Sequence, residues 1–210
     1  MMLNDISSEA YEDVKSTVPV QKERPSKKSG NEIVTLSFRL MIIIATVVLM
    51  LAVVNALTKD QIAANEKKAN DEARAALFPE ATSFKSVSAD ISEELAKYVS
   101  DIYEASGNNG ILGYCVNVTN NGFGGKINMI VGISSEGLIT GVKVITHSET
   151  AGVGERIISN GSILLQFVNV SSNSLSSVSA ITGASVTSKA IIEGVRKAMD
   201  AVTPIIDGGY

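Results

Sequence analysis

Residues 126–146, KINMIVGISSEGLITGVKVIT, contain two β-branched apolar runs separated by a short polar turn. Lys126–Ser134 and Leu138–Thr146 have the length and composition of β-strands. The Ser-Glu-Gly segment at 135–137 is typical of the turn that joins the two strands of a hairpin. The stretch therefore predicts an antiparallel pair of strands at the centre of the fold.

Further elements flank this hairpin on both sides. Upstream, we predict a small-residue loop over 104–110, a strand over Ile111–Thr119 and a glycine-rich turn at 122–125. Downstream, residues 153–168 are predicted to be helical, and Thr187–Val202 has apolar residues at helical spacing on one face. Because strands and helices do not alternate regularly, we expect an α+β fold with a largely antiparallel sheet and packed helices.

An apolar run near the N-terminus indicates a membrane span. Leu40–Leu57 and the residues just before it are long enough to cross a bilayer as a helix. A cleaved signal peptide and a buried core helix are the alternatives, but the run exceeds the ~7–15 apolar residues of a signal peptide and follows a long polar segment. We therefore predict a polar tail over 1–33, a transmembrane helix over 34–57, a helical stalk over 58–80 and an outer domain over 81–210.

Charged residues and cysteine content limit the topology and the class of function. The basic residues that closely precede the span are Lys22, Arg24, Lys27, Lys28 and Arg39. The positive-inside rule places the N-terminal tail in the cytoplasm and the C-terminal domain outside the cell membrane. The net charge of −4 gives no indication of nucleic-acid binding. A single cysteine, Cys115, excludes an internal disulfide, and we expect it to be a buried apolar residue.

Small and hydroxylated residues are concentrated in ITGASVTSKAII, residues 181–192, at the start of the predicted C-terminal helix. Thr182 or Ser185 can cap that helix, and Gly183 and Ala184 keep its approach free of bulk. The unpaired N–H groups and positive dipole end of a helix start favour a phosphate. Ordinary capping and phosphate binding both account for the pattern. A serine hydrolase does not, because Ser185 lacks the second glycine of a nucleophile elbow.

A second candidate binding segment is HSETAGVGERI, residues 147–157. Gly152 and Gly154 allow the backbone to approach a ligand closely. Glu149 and Thr150 can hydrogen-bond a polar ring edge or sugar-like hydroxyls; alternatively, either caps the following helix. The one histidine of the chain has no cluster of other metal-ligating residues around it, so no metal site is expected.

Three motifs in this order resemble the FMN-binding domain of bacterial respiratory complexes. They are GYCVNV at 113–118, GFGGKINMIVGISSEGLITGVKVITHSETAGVGERI at 122–157 and TGASVTS at 182–188. The chain is similar to the G subunit of the Rnf complex, an ion-translocating ferredoxin–NAD oxidoreductase, and to the C subunit of the sodium-pumping NADH–quinone oxidoreductase. The resemblance covers roughly the last half of the chain and the single N-terminal span.

The resemblance implies which residues hold the cofactor. In this family the motif [S/T]-G-A-[S/T]-x-T carries FMN through a phosphoester to its last threonine, which corresponds to Thr187. The implied cofactor-binding residues are Thr187, Glu149, Thr150, Gly152, Val153, Thr182, Gly183, Ala184 and Ser185. The chain departs from the family where Ala151 replaces a common proline and Ser179 a frequent acidic residue. No catalytic residue is expected, since the flavin itself carries the redox chemistry.

The function implied is that of an electron-transfer subunit with covalent FMN, in a membrane complex that moves Na⁺ or H⁺. The implied partners are other membrane and redox subunits of the complex and a flavin transferase that uses FAD. Three alternatives remain open: the equivalent subunit of the quinone-linked pump, a membrane-anchored extracellular module that binds an anionic ligand, and a structural subunit with a degenerate flavin site.

Overall fold

The computed structural model describes residues 30–88 and 91–208. In chain order its helices and strands are α1 (Gly30–Leu77), β1 (Ser83–Val87), β2 (Val99–Gly107), β3 (Gly110–Asn121), β4 (Lys126–Ser134), β5 (Ile139–His147), α2 (Gly154–Ser159) and α3 (Ser185–Gly208). Short 3₁₀ helices are Leu95–Lys97, Leu164–Phe167 and Ser172–Ser177. The chain forms two compact units that divide between Leu57 and Thr58. Most of the predicted polar tail, residues 1–29, lies outside the described residues.

Helix α1 carries the apolar run. Among the described residues it is the one helix long and apolar enough to cross a membrane, and the apolar side chains of its first part are exposed. Thr46 donates its hydroxyl to Ile42 O at 2.8 Å, so this polar group is bonded within the helix. The helix runs without a break through the predicted boundary between span and stalk and ends at Leu77, two residues before Pro79. The limits 34–57 and 58–80 stay predictions.

The second unit is built on one five-stranded sheet. Neighbouring strands pair antiparallel in the order β1-β2-β3-β4-β5, which confirms the predicted α+β class. The central hairpin is confirmed, and Gly137 N donates to Ser134 O at 2.9 Å in its turn. The expected loop over 104–110 is wrong, because residues as far as Gly107 belong to β2 and the turn to β3 is shorter. Strands β1 and β2 are additional to the prediction.

Helix α3 covers one face of this sheet. The apolar residues predicted to share a face of the helix are all buried: Ile191, Val195, Ala198, Met199 and Val202. Opposite them lie buried residues of β3 and β4, including Val116, Val118 and Met129. The helix is longer than the predicted Thr187–Val202 and contains Pro204 in its last turns. Its first turn is thereby fixed against the end of the sheet where β3 and β4 meet.

The end of α1 packs on the other face. A Cβ at Gly132 would lie 3.2 Å from Leu77 Cβ and 3.3 Å from Phe78 Cε2, so a side chain in β4 would displace this helix end. Cys115 is fully buried in the same cluster, as expected from the sequence. Burial raises the pKa of its thiol to about 12.

The helix predicted over 153–168 is wrong in its length. Only Gly154–Ser159 is α-helical, and a separate 3₁₀ helix follows at Leu164–Phe167. The break falls at Gly161, whose φ of 64° lies in the left-handed region that ends helices. The short α2 is preceded by the 148–153 loop, which leads from β5 towards the start of α3.

Candidate functional site

The start of α3 is held by Ser188. Its Oγ accepts a hydrogen bond from Ile181 N at 3.1 Å and donates one to Ala184 O at 2.9 Å. In the part of the chain that the structure describes, neither Thr182 nor Ser185 makes a side-chain hydrogen bond, so the predicted cap is not formed by either. The N–H groups of the first turn therefore have neither an intrahelical acceptor nor a side-chain cap. This turn is suited to an anion.

Thr187 is the third residue of α3 and is only 1% exposed. The two residues before it, Ser185 and Val186, are exposed. Within residues 30–88 and 91–208 its hydroxyl has no hydrogen-bond partner. Solvent still reaches the edge of this hydroxyl, since the fully buried side-chain atoms without a partner in the described ranges are Arg74 Nε, Asn117 Oδ1 and Thr140 Oγ1. A nearly buried hydroxyl that bonds to no protein group is available to a ligand.

Glu149 connects two segments beside this helix start. Its Oε1 accepts from Phe123 N at 2.9 Å and its Oε2 from Gly124 N at 3.0 Å. A Cβ on Gly122 would overlap Oε1, so the turn must be glycine-rich to admit the carboxylate. Glu149 is not a helix cap, the second role considered for it: α2 is preceded by Val153 and has no side-chain cap.

Gly154 brings Glu149 and Thr187 together. A Cβ built on this glycine would lie 2.5 Å from Glu149 Oε2 and 2.8 Å from Thr187 Oγ1. Both oxygens therefore border the space that a side chain would fill. Gly154 is buried and lies beside the threonine hydroxyl. The sequence indicated only that it allows close backbone approach and did not place it in the site.

The remaining predicted site residues lie on the two flanking loops. Thr150, Gly152 and Val153 are exposed on the 148–153 loop, where Gly152 has a φ of 81°. Before α3, Thr182 and Gly183 are exposed, and Gly183 has a φ of 86°. Ala184 is buried and Ser185 is exposed at the helix start. The structure therefore brings together one residue from each of the two candidate binding segments: Glu149 and Thr187 lie close to each other, on either side of Gly154.

Two further residues belong to this region and were not indicated by the sequence. Phe123, whose N–H is bound by Glu149, has its side chain 67% exposed. Asn120 is buried, and its Nδ2 donates to Ala190 O at 2.8 Å. This bond joins the end of β3 to the first turns of α3. Single phenylalanine and asparagine residues are common in any sequence, so no pattern in the sequence indicates that these two belong to the site.

The chemistry available here is binding rather than acid–base catalysis. The helix start offers N–H donors to an anion, and exposed apolar side chains flank it. The Glu149 carboxylate is already bonded to two N–H groups. In the described ranges no group of three or more His, Cys, Asp or Glu residues can hold a metal ion.

Comparisons with known proteins agree with this arrangement. Residues 122–200 match the model of the FMN-binding domain, a segment that contains Phe123, Glu149, Gly154 and Thr187. Over 185 residues the chain is 30% identical to the G subunit of the ion-translocating oxidoreductase complex of Methanosarcina acetivorans, covering 83% of this chain and 96% of that protein. The chain belongs to this family of G subunits.

Other relatives in the G-subunit family carry more specific names. The G subunit of the Na⁺-translocating ferredoxin:NAD⁺ oxidoreductase complex of Acetobacterium woodii is 29% identical, over 74% of this chain and 84% of its own. The proton-translocating counterpart of Clostridium ljungdahlii is 31% identical, over 51% and 63%. The crystal structure of Shewanella oneidensis NqrC aligns with a TM-score of 0.45 and 16% identity, over 62% of this chain and 72% of that one.

Proposed function

We propose that this protein holds FMN through a phosphoester on Thr187 and passes electrons within an ion-translocating ferredoxin:NAD⁺ oxidoreductase complex. The observation that carries the proposal is the hydroxyl of Thr187, which lies in the first turn of α3, borders the space beside Gly154 together with Glu149 Oε2, and has no hydrogen-bond partner among the described residues. The specific activity is supported by the names of the relatives from Acetobacterium woodii and Clostridium ljungdahlii.

The residues around Thr187 fit a phosphate. A phosphodiester keeps one negative charge, and the N–H groups and dipole of the first turn of α3 stabilise it. Gly183 and Ala184 have no bulk that would keep a phosphate from the backbone. The exposed hydroxyls of Thr182 and Ser185 are free to hydrogen-bond phosphate or ribityl oxygens.

Apolar side chains fit the ring system of the flavin. Phe123, Val153 and Val186 are 67%, 45% and 53% exposed, and each is a site residue or the immediate neighbour of one in the chain. Exposed apolar groups clustered at one place on a domain mark a binding surface. Thr150, with its hydroxyl, and the backbone of Gly152 lie on the same loop as Val153. When bound, FMN supplies the electron chemistry, and the protein supplies binding and orientation.

Helix α1 is proposed to anchor the protein with its N-terminus in the cytoplasm and the flavin domain outside. The excess of basic residues before the span supports this orientation. The partners are then the other membrane and redox subunits, and a separate FAD-dependent transferase attaches the flavin. The coupling ion is Na⁺ or H⁺, since relatives of similar identity are named for either one. A reporter fused after Tyr210 should be active only outside the cytoplasm, and cytoplasmic activity would contradict the orientation.

The attachment is tested by producing the full chain together with a flavin transferase and examining the denatured protein for flavin fluorescence. Fluorescence should remain with the wild-type band and disappear in Thr187→Val. The matched control is Thr203→Val in the same helix, where the hydroxyl bonds to Met199 O at 2.8 Å. That variant should keep its flavin. Wild-type protein without covalent flavin would refute the proposal.

A further inference from the structure

We propose that Glu149 is a positioning residue that latches the 148–154 loop over Thr187, so that flavin attachment requires this latch to open. The inference rests on the proposed attachment at Thr187. It assigns Glu149 a role different from direct contact with the flavin. The latch consists of the Glu149 carboxylate and the N–H groups of Phe123 and Gly124, at 2.9 and 3.0 Å.

The 148–154 loop and the β3–β4 turn are closely packed. A Cβ on Gly124 would lie 2.7 Å from both Ser148 O and Thr150 N, and one on Gly125 would lie 2.7 Å from Ser148 Cβ. Ser148 N also donates to Lys126 O at 2.9 Å. Of the side-chain hydrogen bonds described, those between the turn and the loop are made by Glu149. Its carboxylate therefore fixes the loop beyond the last paired residue of β5.

The fixed loop also restricts access to the acceptor oxygen, of which solvent reaches only the edge. Thr187 is 1% exposed, and Gly154 at the end of the loop lies beside its Oγ1. In the transfer, Thr187 Oγ1 bonds to the FMN phosphorus of FAD, the pyrophosphate bond breaks, AMP leaves and the hydroxyl proton is released. The phosphorus must come within bonding distance of Oγ1, so Gly154 has to move away first.

An ionised carboxylate accepts hydrogen bonds but donates none, so Glu149 offers no donor to a phosphate. A carboxylate free to approach Thr187 would repel an anionic ester on that residue. The two N–H groups of the turn hold the carboxylate in place and satisfy both of its oxygens. This arrangement is that of a group that positions a loop.

The test measures the initial rate of covalent flavin incorporation into the full-length protein, purified without flavin, with FAD in excess and the transferase limiting. Glu149→Gln keeps the shape of the side chain but replaces one acceptor by an N–H₂ group that faces an N–H donor. Loss of a charge-assisted hydrogen bond of the usual strength raises the open population about tenfold or more. The initial rate should rise by about the same factor. If the hydrogen bonds of Glu149 only stabilised the fold, their loss would lower the rate of flavin incorporation or leave it unchanged.

A second variant disrupts the same hydrogen bonds from the β3–β4 turn. Gly122→Ala places a methyl group on the position of Glu149 Oε1 and 2.8 Å from Ile127 Cδ1, the end of a side chain that can shift slightly, and it changes no residue of the loop or of α3. It should accelerate incorporation as Glu149→Gln does, and both should lose hydrogen-exchange protection at Phe123 and Gly124. The control for the glycine change is Gly208→Ala, where a Cβ has nothing within 4 Å. The control for the charge change is Glu136→Gln in the exposed β4–β5 turn.

The outcomes separate this inference from the proposed function. If wild-type protein takes up no covalent flavin, the attachment at Thr187 is wrong. If wild type is flavinylated but Glu149→Gln and Gly122→Ala react at the wild-type rate or more slowly, the attachment stands and the latch is refuted. Faster incorporation in both variants, with the two controls at the wild-type rate, supports the latch.

Discussion

Replacing Thr187 with valine should abolish flavin attachment and stabilise the protein. Valine has the shape of threonine with a methyl group in place of the hydroxyl, and the two residues have similar helix propensities. The substitution therefore leaves packing and backbone unchanged and removes one polar group. Thr187 as a whole is 1% exposed, solvent reaches only the edge of its hydroxyl, and the hydroxyl has no hydrogen-bond partner in the described part of the chain.

The expected gain follows from the burial of this hydroxyl. Burying a hydroxyl without a hydrogen bond costs about 1–3 kcal/mol in proteins. Because solvent still reaches the edge of this hydroxyl, the lower end of that range is the upper limit, and Thr187→Val should raise the free energy of unfolding by up to about 1 kcal/mol. For a unit of this size that corresponds to a rise in Tm of about 2–4 °C.

The assay is thermal unfolding of the full chain in detergent, produced without a flavin transferase so that neither protein carries covalent flavin. Thr203→Val is the control, because its hydroxyl is bonded to Met199 O. That variant should lose about 0.5–1 kcal/mol. A clear fall in the Tm of Thr187→Val would show that the hydroxyl has a structural partner, and the reasoning that it is kept for function would be refuted.

Three further predictions concern stability. Asn120→Ala should lower the free energy of unfolding by about 1 kcal/mol in urea titrations, because it removes a buried hydrogen bond to Ala190 O, which keeps its donor within the helix; an unchanged midpoint would contradict this. Arg74→Ala should lower the free energy of unfolding by ~1–3 kcal/mol, since the buried guanidinium lies 3.7 Å from the Tyr103 ring centre. Lys68→Ala, which removes an exposed ion pair with Glu72, should change it little. The raised pKa of Cys115 means that the unfolded thiol ionises first, so stability should fall as pH rises from about 9 towards 12; iodoacetamide should label this thiol only after unfolding.

The sheet was predictable only where strands have runs of β-branched apolar residues; β2 has buried Val99, Ile102 and Ala105, but polar residues separate them. Strands β3, β4 and β5 follow from β-branched runs and a recognisable turn, and their pairing follows from the short connection. Strand β1, SFKSV, has no fully buried residue, and β2 ends in small polar residues. The conformation of β2 is set by pairing with β3, and that of β1 by pairing with β2, so the local sequence gives little indication of either strand.

The site was predictable in its parts and not in its connections. The hydroxyls before α3 and the glycines after β5 are visible in the sequence. The bonds of Glu149 end on backbone N–H groups of the β3–β4 turn, which every non-proline residue has, so no side-chain pattern indicates them. The position of Gly154 beside Thr187 depends on how α2 and α3 pack. The sequence pattern predicted Thr182 or Ser185 as the cap. In the structure the hydroxyl of Ser188, in the first turn of α3, accepts the hydrogen bond from Ile181 N.

The most direct test of the central claim is intact-mass and peptide mass spectrometry of the full-length protein produced with an FAD-dependent flavin transferase. The account predicts a mass increase equal to FMN minus one water, on a peptide containing Thr187, with fragmentation that places it on that residue. The increase should be absent in Thr187→Val and present in Thr203→Val. A wild-type protein with unmodified mass, or with the flavin on Thr182, Ser185 or Ser188, would contradict it.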